Sequence, residues 1–169
     1  MKHLLLIIIF FSTKSFSQTF NLSPTGYEPQ ILKMDSMSAK QLYDKTIKWV
    51  NASYRKPSEV LVEDAPGERI RLNAFMKDAY FIKQLGQKLY YDIYYTFLIE
   101  FKEGKMRVSF TPEQIMADGR KALFTYKTFF KEDGSVRPAY KDAPPSLNEN
   151  VNGLVRSLLD SFIEKKSDW

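Results

Sequence analysis

Along residues 88–110, apolar and polar positions alternate on either side of Glu103-Gly104. With a period of two, Tyr91, Ile93, Tyr95, Phe97, Ile99 and Phe101 share one face of an extended chain. The other face carries Tyr90, Asp92, Tyr94, Thr96, Leu98, Glu100 and Lys102. A two-residue turn at Glu103-Gly104 sets Phe101 against Met106, Ile99 against Val108, Phe97 against Phe110 and Glu100 against Arg107. Slipping the pairing by one residue would place Phe101 against Arg107 and turn the apolar face to water, so the pattern specifies its own register.

The pattern changes to a helical period elsewhere. Ser38 followed by Gln41 predicts a capping box, and the helix it starts runs to about Tyr54, with Met37 stapled to Leu42. Tyr43, Ile47, Val50 and Tyr54 form its apolar stripe, with Leu42 and Trp49 beside them. A second capping box, Ser146 with Glu149, predicts a C-terminal helix. Its stripe is Leu147, Val151, Leu154, Val155, Leu158, Leu159 and Phe162, and Gly153 within it marks a close approach to the sheet. Between the helices, 59–63 and 68–76 read as strands joined by a turn at Ala65-Pro66-Gly67, with Val60, Val62, Ile70 and Leu72 on one face and Glu63 opposite Arg69. Residues 30–33 read as a short strand. Residues 77–86 fit either a helical turn or a continuation of the strand, and Thr111-Pro112-Glu113 ends the last strand of the hairpin. The expected fold is α+β: an antiparallel sheet of four to five strands with two helices packed on one face.

Residues 1–17 place Lys2 before an apolar run at 4–11, with Ser15 and Ser17 ahead of Gln18. The run is too short to span a bilayer, and the layout predicts a cleaved secretory signal. Residues 18–29 then form a loosely held arm, and 30–166 a single domain. Cleavage removes His3, the chain's one histidine, and leaves 23 basic against 20 acidic residues, a net +3. The exported chain then lacks histidine as well as cysteine, which excludes Ser-His and Cys-His nucleophiles, zinc held by nitrogen and sulfur, disulfides and a lipid-anchoring cysteine. No cofactor is expected. No later segment has the length of a membrane-spanning helix, and so modest a charge gives a poor footprint for nucleic acid.

Three segments carry a family likeness. Ile47-Lys48-Trp49-Val50, Arg69-Ile70-Arg71-Leu72 and the run from Tyr95 through Lys102-Glu103-Gly104-Lys105 to Arg107 resemble the domain-of-unknown-function family 4468, over residues 38–115. The resemblance implies a fold like one repeat of the TATA-box-binding protein and an exported protein of Bacteroidetes. It implies no catalytic or binding residues.

Two regions are candidates for function. Residues 117–145 interleave Phe124, Tyr126, Phe129, Phe130 and Tyr140 with Lys127, Lys131, Arg137 and other cations. Such a loop either grips a partner or folds its rings over the sheet edge, with the lysines solvating the cover. The second is the outer face of the central hairpin, where Tyr90 and Tyr94 lie near Arg69 and Arg71. That face is either an interface or the seat of the 117–145 loop. The expected function is a periplasmic or secreted binding module for an envelope protein, glycan or lipid. The alternative is a small hydrolase or transferase using carboxylates and tyrosine, for which Asp92 and Glu100, about 27 Å apart on one strand, stand too far from each other.

Overall fold

The computed structural model describes residues 19–163, so the expected signal sequence lies outside the described residues. The alternation of 88–110 produces the centre of the molecule. Strands β5 (Arg69–Gln84), β6 (Gln87–Lys102) and β7 (Lys105–Ala117) form an antiparallel meander. Preceding them are a two-stranded hairpin, β1 (Leu22–Ser23) and β2 (Gly26–Tyr27), then β3 (Gln30–Lys33), helix α1 (Ala39–Ser53), the one-turn helix α2 (Pro57–Val60) and β4 (Leu61–Ala65). Following them are β8 (Arg120–Lys121), two 3-10 turns and helix α3 (Ala143–Asp160). The main sheet has the order β3-β7-β6-β5-β4, with β8 added beside β7, making six strands where four to five were expected.

The hairpin has the register that its residues specify: Phe101 faces Met106, Ile99 faces Val108, Phe97 faces Phe110 and Glu100 faces Arg107. Ile93, Tyr95, Phe97, Ile99 and Phe101 are all buried; α1 lies over β6, and α3 packs beside it against β5. From α1, Trp49 meets Phe97 edge-on at 6.2 Å, Tyr43 meets Phe101 at 6.0 Å, and the Tyr54 hydroxyl bonds that of Tyr95 at 2.9 Å. The Trp49 indole N–H donates to Ser157 Oγ at 3.1 Å and ties α1 to α3. Each large apolar side chain buried here contributes about 1.5–3 kcal/mol, so this layer supplies most of the fold's stability.

The first capping box forms as expected: Ser38 Oγ accepts from the Gln41 N–H at 3.2 Å, and Gln41 Oε1 accepts from the Ser38 N–H at 2.9 Å. The buried stripe is rotated slightly from the expected one, to Leu42, Thr46, Trp49 and Val50, with Tyr43, Ile47 and Tyr54 partly buried. Thr46 is accommodated because its hydroxyl donates back to the Leu42 carbonyl at 2.8 Å. Tyr43 instead reaches Asp64 Oδ1 at 2.6 Å. That hydrogen bond, helped by desolvation and the Asp64 charge, pushes its phenol up to about 12.

Five expectations are corrected, and one left open is resolved. Residues 57–60 form a helical turn rather than the start of a strand, because Pro57 is well suited to a first helical position. A bulge between Leu61 and Glu63 then places Leu61 opposite Leu72 and Glu63 opposite Arg71, and leaves Val62 exposed. Residues 77–84 continue β5 through a bulge between Met76 and Tyr80. Pro112 does not end β7: it sits where the pairing shifts between Tyr94 and Tyr95, beyond the stretch of β7 that β3 covers, so the missing N–H breaks no regular ladder. Helix α3 starts a turn before Ser146, with Pro144 and Pro145 in its first turn, where helices tolerate proline. A Cβ on Gly153 would meet nothing within 4 Å, so no close approach to the sheet requires glycine there.

The arm at 18–29 is packed, not loose, over its described part. Phe20, Leu22 and Tyr27 are buried. Asn152 of α3 grips the Phe20 backbone: Oδ1 accepts its N–H at 2.7 Å and Nδ2 donates to its carbonyl at 2.9 Å. Asn148 Oδ1 accepts from the Leu22 N–H and the Tyr27 hydroxyl, each at 2.9 Å. Gly26, at φ 105°, sits so close to the Tyr126 hydroxyl that a Cβ would lie 3.2 Å from it.

Candidate functional site

With both helices on one side, the other side of the sheet faces solvent. Along it the cross-strand neighbours run Arg69 with Glu100, Arg71 with Leu98, Asn73 with Thr96, and Phe75 with Tyr94. Beyond the β5 bulge, Phe81 pairs with Tyr90. The face thus grades from charged, through polar, to aromatic.

At the charged end no arginine stands alone. Arg69 Nε lies 2.5 Å and Arg71 Nη2 3.3 Å from the Glu63 carboxylate, and Arg107 binds Glu100 at 2.5 Å. Being exposed, these pairs contribute little stability, and three guanidiniums on two carboxylates leave this end of the face with an excess of positive charge. Ile31, Glu100, Lys102, Lys105 and Arg107 line a hollow of about 250 Å³ here.

The middle of the face is different. The Phe75 and Tyr94 rings stand 5.1 Å apart at 58°, and 46% and 48% of the two residues are exposed. Beside them the Thr96 hydroxyl lies 3.0 Å from both Asn73 Oδ1 and Glu113 Oε1, a fixed row of polar groups. These side chains and Gln114 line an open depression of about 710 Å³. The bulge that absorbs Pro112 places Glu113 in this row. Among the described residues no cluster of three or more His, Cys, Asp or Glu is arranged to hold a metal, and no helix is long and apolar enough to cross a membrane.

The sequence-predicted residues separate accordingly. Tyr90 and Tyr94 share the open face with Arg69 and Arg71, and the 117–145 loop does not cover it. That loop instead closes the helix side of the sheet's far end. Phe129 and Phe130 are buried, with Phe129 edge-on to Tyr80 at 5.2 Å and tilted against Tyr140 at 5.3 Å. Phe124 reaches Tyr91 at 6.0 Å. The rings of Phe129 and Phe130 are therefore core, Tyr126 and Tyr140 are partly buried against it, and Arg137 is a fastener whose Nε donates to the Phe130 carbonyl at 2.9 Å. Lys127 and Lys131 point to solvent. Sequence reasoning missed Phe75 and Glu113 as members of the open face. The parity of Arg69, Arg71 and Asn73 reaches Phe75, whereas nothing in the sequence marks the bulge at Glu113.

An α+β body with helices on one face of an antiparallel sheet and the opposite face bare is the class that this geometry defines. The family model for the domain of unknown function (DUF4468) with TBP-like fold matches residues 29–116, more than half of the 169-residue chain, and the protein belongs to that family. Among solved structures, it is similar to a DUF4468 family protein from Bacteroides ovatus (TM-score 0.60, 11% identity, 84% of this chain and 88% of that one). It is similar also to a TBP-like protein from Parabacteroides distasonis (TM-score 0.56, 14% identity, 79% and 90%). At such identities the likeness is one of fold. No curated protein matches the sequence.

Proposed function

We propose that the protein is exported and works as a non-catalytic binding module, meeting an envelope protein, glycan or lipid with the open face of its sheet. The observation that carries this reading is the pair Phe75 and Tyr94, two rings left half exposed on neighbouring strands beside the preset polar row Asn73–Thr96–Glu113. Side chains that are apolar, exposed and rigidly placed do little for the fold and are well suited to contact. Binding is favoured over hydrolysis because the depression is open and its carboxylates are engaged, Glu113 with Thr96 and Glu59 with Lys56 at 2.7 Å.

The test is a Phe75→Ser, Tyr94→Ser double variant, used to capture envelope fractions beside the unaltered protein. Its melting temperature should stay within about 3 °C, because surface substitutions are usually worth less than about 0.5 kcal/mol each. Captured material should fall to background. Undiminished capture would move the contact elsewhere, and a collapse in melting temperature would make the two rings structural.

A further inference from the structure

The turn of the longest hairpin departs from what such a turn ordinarily selects. β5 and β6 meet at Leu85-Gly86, and both residues have positive φ, 49° and 80°. Asn-Gly or Gly-Gly satisfies that geometry without strain, whereas a leucine carries its Cβ into the left-handed region. Burial does not offset this, because Leu85 is 99% exposed. Two pairs back from the turn, Lys83 and Lys88 are direct cross-strand partners, like charges at a position where opposite charges stabilise. Lys83 reaches Asp142 at 3.9 Å, and the Lys88 ammonium lies 4.3 Å from the centre of the Phe81 ring.

The placement of the ribbon gives these departures a meaning. β4 accompanies β5 as far as Leu72, and β7 accompanies β6 as far as Asp92, so the two strands continue beyond the sheet as a pair. Outward from the body the ribbon presents Phe81 and Tyr90, then Lys83 and Lys88, then Leu85 at the tip. That order of rings, cations and finally an aliphatic side chain follows the layers of a lipid surface, where lysine stems snorkel to the headgroups and apolar groups go deeper. At the same end of the sheet β8 joins the end of β7, placing Arg120 and Lys121 just before Leu123, which is fully exposed. A costly conformation that persists without a packing reward points to a role outside the fold.

We propose that the 85–86 turn is a membrane contact, in which Leu85 enters the headgroup boundary of an anionic bilayer and Lys83 and Lys88 bind its phosphates. A protein hot spot fits less well, because such sites favour aromatic and arginine anchors over leucine. The proposal is independent of the sheet-face reading, since Leu85 is remote from the Phe75–Tyr94 depression along both strands.

The experiment is co-sedimentation with vesicles of phosphatidylcholine, alone or mixed with phosphatidylglycerol. It uses the chain beginning at Gln18, which keeps every described residue and omits the apolar run at 4–11. The unaltered protein should partition to the anionic vesicles and be released by salt. Leu85→Gly removes both the strain and the anchor, so its melting temperature should hold or rise while its partition falls about tenfold. A Lys83→Gln, Lys88→Gln variant should lose binding to a similar degree, and Lys48→Gln, an exposed position on α1, should bind as the unaltered protein does. Absence of binding to anionic vesicles, unchanged partition of Leu85→Gly, or an equal loss in Lys48→Gln would overturn the proposal. Capture of a soluble acidic protein through the tip in place of vesicles would overturn it too.

Discussion

Asn152→Ala tests whether the N-terminal arm is part of the folded body. Asn152 joins α3 to Phe20, 132 positions away, through two hydrogen bonds to one residue's backbone, at 2.7 and 2.9 Å. Alanine leaves that partly buried N–H and carbonyl without their partner, at about 1–2 kcal/mol each, or about 2–4 kcal/mol together. The cost has a ceiling, since the arm can detach instead. Detachment exposes Phe20, Leu22 and Tyr27, about 1.5–3 kcal/mol apiece, so the smaller loss prevails and the arm stays attached but loosened. At roughly 2–4 °C per kcal/mol for a chain of this size, the melting temperature should fall by about 4–16 °C. Calorimetry reads the shift, and hydrogen exchange should show the Phe20 and Leu22 amides exchanging faster while the β6 amides do not. A fall below about 1 °C with unchanged exchange would refute the reasoning, showing that the Asn152 bonds are replaced without loss by water.

Gly153→Ala should stabilise α3 by about 0.5–1 kcal/mol, since the new methyl meets nothing within 4 Å and the unfolded chain loses freedom; a lower melting temperature would contradict this. Tyr80→Phe should be neutral or stabilising by up to about 1 kcal/mol, because the Tyr80 hydroxyl is buried without a hydrogen-bond partner; a clear loss in denaturant melts would show that it has one. Burial raises the phenol pKa values of Tyr27, Tyr54, Tyr80 and Tyr95. A raised folded-state value gives stability that is complete below the ordinary tyrosine value near 10 and is lost as pH rises above it, at up to about 1.4 kcal/mol per pH unit per group. Melting temperature should therefore drop steeply above about pH 10, with phenolate absorbance from these residues appearing only on unfolding; phenolate signal from all of them in the folded chain would contradict the burial.

What could be read in the sequence was whatever one local pattern decides. The 97–110 and 101–106 pairings were legible because each slip turns a whole face to water, and the Ser38–Gln41 box because both partners lie within one turn. Features that depend on two distant segments were not. Asn152 reads as an ordinary polar helix residue until Phe20 is placed beside it, so the arm looked loose. Pro112 reads as a strand end unless the bulge opposite Tyr94 and Tyr95 is known, and that bulge carries Glu113 to Thr96. Of the candidate site, Tyr90, Tyr94, Arg69 and Arg71 were legible from parity. The burial of Phe129 and Phe130 was not, since basic-aromatic composition is the same whether the rings face inward or outward.

Hydroxyl-radical footprinting of the protein with and without envelope extract tests the central claim, a sheet covered on one side and available for contact on the other. Free protein should be oxidised at Phe75 and Tyr94 and spared at Phe97, Phe110 and Phe129. Addition of extract should protect Phe75 and Tyr94 while leaving the outer surfaces of α1 and α3 as reactive as before. Protection confined to the helices, or strong oxidation of Phe97 and Phe110 in the free protein, would contradict the account.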